Sequence, residues 1–119
     1  MSIYFLSPDP KRLLDSFTDA IGNSSSHRIT TWRMIQNPKG EFYTHTSDQW
    51  KDRAWLKPDD TENGRLAFYV KRFNGIILFN QEVFTYYQDH LEETFSRHFS
   101  GQFSEVHATL NPAGEDDSF

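Results

Sequence analysis

Two short turn signals constrain this chain more than any other feature of it. Asn37-Pro38-Lys39-Gly40 puts proline at the second position of a tight turn and glycine at the fourth, and Asn74-Gly75 supplies the positive φ angles of a two-residue hairpin. Each sits between runs rich in β-branched and aromatic residues: 27–36 and 41–46 around the first, 65–73 and 76–79 around the second. Connections this short join antiparallel neighbours, because a parallel pair needs a crossover of a dozen residues or more.

Helical periodicity accounts for two further segments. Asp9 caps the first and Pro10 takes its first position, where a missing N–H costs nothing. Leu13, Leu14, Phe17, Ala20 and Ile21 then fall on one side, Lys11, Arg12, Asp15 and Asp19 on the other, and Gly22 ends the helix. Asn80 caps the second, which covers 81–100 and stops at Gly101. Val83, Phe84, Tyr87, Leu91, Phe95, His98 and Phe99 share its apolar side.

Residues 3–6 read as a first strand and 102–110 as a last one. Residues 47–56, with Trp50 and Trp55, fit either a short helix or an irregular arm, and 57–64 read as a polar loop. The expected order is β-α-β-β-(short helix)-β-β-α-β. That is a single α+β domain over 1–110, with an antiparallel or mixed sheet of about five to six strands and both amphipathic helices on one face. Residues 76–79, apolar on both faces, are expected centrally in the sheet, and 111–119 as a flexible acidic tail. Eleven Phe, five Tyr and three Trp let a modest apolar fraction fill the core of a 119-residue chain.

The chain has no cysteine, which removes disulfides, thiolate nucleophiles and Cys-ligated metals together. The apolar run at 3–6 is too short for a secretory leader, and no stretch approaches the ~20 apolar residues that span a bilayer, so a cytoplasmic, non-membrane protein is expected.

Charge is divided unevenly along the sequence. Residues 1–79 hold eleven Lys/Arg against nine Asp/Glu; residues 80–119 hold Arg97 alone against eight acids. Glu82, Asp89, Glu92 and Glu93 gather on the second helix opposite its apolar side, with Tyr86 beside them, and Glu115, Asp116 and Asp117 follow in the tail. A field with this direction steers encounters with a basic partner but does no chemistry itself. The ordinary alternative is a solvated helix face, although the usual alternation of signs is missing here.

Catalytic and metal-binding patterns are thin. The five histidines lack the spacings of a metal site, and His98 is expected inside the apolar stripe as a neutral core residue. His107 on the last strand joins it only if folding brings the two together. Asp59-Asp60-Thr61-Glu62-Asn63-Gly64 lacks the alternate ligands and distal bidentate glutamate of a calcium loop and reads as a solvated turn. Arg28, Arg33, Lys39, Lys51, Arg53 and Lys57 interleave with Trp32, Tyr43, Trp50 and Trp55, but a pI of about 5.4 weighs against nucleic-acid binding. Trp32 itself is expected in the core.

These features point to a non-enzymatic protein-binding module with no cofactor: a small acidic inhibitor of a basic partner such as a toxin or nuclease, of immunity-protein or antitoxin type. Its expected contact residues are Glu82, Tyr86, Asp89, Glu92, Glu93, Asp116 and Asp117. The alternative is a small enzyme or ligand-binding domain with an aromatic pocket using His45, His98 or His107. A homodimer through an edge strand, with 41–46 as the candidate edge, is a third possibility.

Overall fold

The order of elements is β1 (Ser2–Leu6), α1 (Pro10–Gly22), β2 (Trp32–Asn37), β3 (Gly40–His45), β4 (Trp55–Asp59), β5 (Arg65–Lys71), α2 (Gln81–His98) and β6 (Glu105–Thr109). The computed structural model describes residues 2–22, 29–61, 63–71 and 81–109. The Asn74-Gly75 turn, the apolar run 76–79, the Asn80 cap and the acidic tail lie outside the described residues. The strands form one antiparallel sheet in the order β2-β3-β4-β5-β1-β6. This is an α+β fold.

Local chemistry sets the first elements as the sequence implies. The Asp9 carboxylate accepts the Arg12 N–H at 3.1 Å, satisfying an orphan donor at the start of α1. Asn37 Oδ1 accepts the Lys39 N–H at 2.8 Å, and Gly40 completes the turn at φ 126°. The β2–β3 register that results pairs Trp32 with His45.

Both helices cover one face of the sheet. Ile3 and Phe5 of β1, Tyr43 of β3, Leu56 of β4, and Leu66, Phe68 and Val70 of β5 point into a core closed by Leu13, Phe17 and Ala20 of α1 and by Val83, Phe84, Tyr87, Leu91 and Phe95 of α2. Phe17 sits at its centre, its ring 4.9 Å from Tyr43, 5.0 Å from Phe95 and 6.0 Å from Phe68. Full burial of such side chains contributes about 1.5–3 kcal/mol each. Trp32 is in this core, its Nε1–H donating to Thr94 Oγ1 at 3.0 Å.

The structure decides one alternative that the sequence left open, at 47–53, and corrects other expectations. Residues 47–53 form turns, not a helix: Ser47 O accepts the Lys51 N–H in a single helix-like turn, and Asp52 at φ 56° ends it. Residues 55–59, split between the arm and a loop, form strand β4. Past Leu56, β4 has β5 on one side only, an edge-like position in which Pro58 is tolerated. Among the described residues of the strand expected over 27–36, pairing begins at Trp32, because Thr30 O and Thr31 O are taken by the Thr46 side chain and N–H instead of a ladder. Finally, 41–46 is no sheet edge, since β3 lies between β2 and β4; among the described residues the edges are β2 and β6.

Among the described residues, no helix is long and apolar enough to cross a membrane.

Candidate functional site

The outer face of α2 depends on how residues 46–54 cross it. Thr44 Oγ1 donates to Ala54 O at 2.9 Å and accepts the Asp52 N–H at 3.0 Å, cinching the two ends of this segment together. The buried Tyr87 hydroxyl reaches up from α2 to Thr44 Oγ1 at 3.0 Å and donates to the Trp50 carbonyl oxygen. Burial raises the Tyr87 pKa, keeping the hydroxyl protonated and able to donate. The segment is thus fastened to the helix at Trp50, whose indole lies on the next ring along.

That ring is Tyr86. Trp50 and Tyr86 stack with centroids 3.9 Å apart and planes 10° from parallel, and Tyr86 stacks in turn on His90 at 4.0 Å and 21°. His45, only 3 % exposed, sits beneath them, edge-on to Tyr86 at 5.2 Å, His90 at 5.1 Å and Trp32 at 5.3 Å. Its Nδ1 accepts the Ser47 N–H at 3.1 Å, which assigns the proton to Nε2 in the neutral ring. Nε2 is buried without a hydrogen-bond partner among the described residues. Burial first, and the neighbouring His90 second, push the His45 pKa down to about 4.

Two hollows lie along the helix on either side of this stack. One, of about 520 Å³, is lined by Trp50, Gln81, Glu82, Thr85, Tyr86 and Asp89. The other, of about 340 Å³, lies between α2 and the segment leading into β2, with Thr30, Thr31, His90, Glu93 and Arg97 among its walls. In the second, Glu93 Oε1 pairs with Arg97 Nη2 at 3.5 Å, an exposed contact of helical spacing worth little to stability.

The expected contact residues are therefore placed unevenly. Glu82, Tyr86 and Asp89 share the first hollow, and Glu93 belongs to the second. Glu92 is half-buried and lines neither of the two. Asp116 and Asp117 lie outside the described residues. Trp50 is the addition that sequence reasoning missed, because no periodicity runs through 46–54 to say which way its side chain turns.

The three histidines of the alternative pocket are not gathered. His45 is in the core under α2. His98 is exposed on α2 beside the second hollow, a correction to its expected core position: the apolar stripe runs out at the helix end, where Phe99 takes the buried place against Phe95. His107 stacks on Tyr4 at 5.1 Å and meets Glu105 Oε2 at 3.2 Å, on the sheet face away from the helices. Among the described residues, no group of three or more His, Asp or Glu side chains is arranged to hold a metal ion.

The interleaved rings and bases of 28–57 also divide. Trp32 and Tyr43 are buried in the core and Trp50 packs against Tyr86 of α2, while Trp55 lies on the other face, donating Nε1–H to Asp52 at 3.3 Å. Arg33 is engaged by both oxygens of that carboxylate at 2.8 and 3.0 Å. Asp59 Oδ1 turns back on its own segment, accepting the Thr61 N–H and hydroxyl, which hold its carboxyl below the ordinary range.

Comparison with protein-family models, with curated proteins and with solved structures finds no match for this chain.

Proposed function

We propose that this protein is a non-enzymatic binding module that docks on a basic protein partner through the outer face of α2, as a small acidic inhibitor of immunity-protein or antitoxin type does. The observation that carries the reading is the convergence of Glu82, Asp89 and Tyr86 with Trp50 around one exposed hollow. An aromatic anchor ringed by like charges suits an interface: the ring supplies buried area, and the carboxylates steer the encounter. The one-sided charge of residues 80–119 adds to the same field. The reading includes a cytoplasmic meeting place, and occlusion of the partner's own site as the means of inhibition.

The test compares capture of the partner by the native protein and by the double charge reversal Asp89→Lys with Glu93→Lys. Both positions are exposed, so the fold should survive, as circular dichroism and melting temperature will show. The native chain should retain a basic protein in stoichiometric amount and release it between about 0.1 and 0.5 M salt. Equal retention by the reversed variant would remove α2 as the contact face.

A further inference from the structure

We propose that the hollow beside Trp50 is a subsite for an arginine side chain, an inference that rests on the docking reading and names what the partner inserts. Carboxylates on a helix do not make a site by themselves. Here they border a shallow, open depression that Trp50 and Tyr86 also line. Tyr86 is covered on one face by Trp50 and on the other by His90, so the stacking surface offered to a visitor is that of Trp50.

The charge around this hollow is unmatched among the described residues. No lysine or arginine of theirs lines it, and neither Glu82 nor Asp89 forms an ion pair with one of them. The neighbouring hollow differs on this point, since Glu93 there already meets Arg97. Among the described residues, the charged groups that line the first hollow are therefore acidic, whereas the second carries Arg97.

Arginine fits that setting better than lysine. A guanidinium is planar and weakly hydrated, so it can lie on an indole face while its edge donates two parallel hydrogen bonds to a carboxylate. An ammonium is a compact, strongly hydrated charge that gains less from the ring and cannot form the two-pronged contact. Glu82 and Asp89 are two turns of helix apart, so carboxylates stand at both ends of the hollow with Thr85 and Tyr86 between them.

The test uses the whole chain and three capped tripeptides, Gly-Xaa-Gly with arginine, lysine or citrulline at the centre. Binding is read from the indole N–H resonance of Trp50, assigned by its disappearance in Trp50→Phe. The arginine peptide should shift this resonance saturably in the millimolar range, with lysine about tenfold weaker and neutral, isosteric citrulline inert. Glu82→Gln with Asp89→Asn should weaken the arginine peptide about tenfold at unchanged melting temperature. Equal shifts from citrulline and arginine would overturn the proposal, because the cation would then contribute nothing. So would an arginine peptide that leaves Trp50 unmoved, even where charge reversal of Asp89 and Glu93 abolishes partner capture; the subsite and the docking face can therefore fail separately.

Discussion

The Tyr87 hydroxyl donates its hydrogen bond to the carbonyl oxygen of Trp50, thirty-seven residues away in sequence. A buried residue of α2 thereby holds the backbone of a surface segment, and its neighbour Tyr86 takes the Trp50 side chain at 3.9 Å. Consecutive helical residues serve the core and the surface because about 100° of rotation separates them.

Removing that hydroxyl isolates its contribution. Tyr87→Phe keeps the ring's packing against Trp32 and takes the donor from the Trp50 carbonyl. The expected loss is about 1–3 kcal/mol in urea unfolding, with the Trp50 and Tyr86 ring resonances drifting towards their random-coil positions.

Acid should destabilise the fold through His45. Its pKa is about 4 when folded against 6.5 for the unperturbed ring, so on acidification the unfolded chain takes up the proton first. This contribution to stability is intact above about pH 6.5 and is lost as pH falls towards 4, by up to about 3 kcal/mol. Unfolding free energies measured at intervals over that window should fall less steeply for His45→Gln than for the native chain. Parallel curves would mean that His45 is not the titrating group.

The centre of the core gives the largest effect. Phe17→Ala removes a fully buried ring that touches Tyr43, Phe68, Phe95 and Phe99, and should cost about 3–5 kcal/mol, visible as a lower urea midpoint at unchanged slope.

Gly40 tests the hairpin. A methyl group there would meet no atom within 4 Å, yet at φ 126° any side chain strains the backbone. Gly40→Ala should therefore cost about 1–3 kcal/mol from backbone conformation alone. Differential scanning calorimetry would register it as a lower melting temperature.

The docking reading predicts a kinetic signature as well. Association with the partner should slow about tenfold or more as salt rises from about 0.05 to 0.5 M, with dissociation changing far less, because steering acts on the encounter. Stopped-flow fluorescence measures both rates.

What the sequence determined by itself is local. Asp9-Pro10 starts a helix, Asn37-Pro38-Lys39-Gly40 closes a hairpin, and the helical spacing of Val83, Phe84, Tyr87, Leu91 and Phe95 picks the buried face of α2, since each depends on atoms a few residues apart. The acidic, exposed character of Glu82, Asp89 and Glu93 was legible for the same reason. Tertiary structure decided the rest. Pro58 stands in a strand because its neighbour across that stretch is β5 alone, and His98 faces solvent because Phe99 reaches the core first. Trp50 meets Tyr86 because Thr44, Ala54 and Tyr87 bind the intervening segment through hydrogen bonds between distant parts of the chain. Such contacts leave no periodicity behind, and they come into existence only when the core has already brought β3 and α2 together.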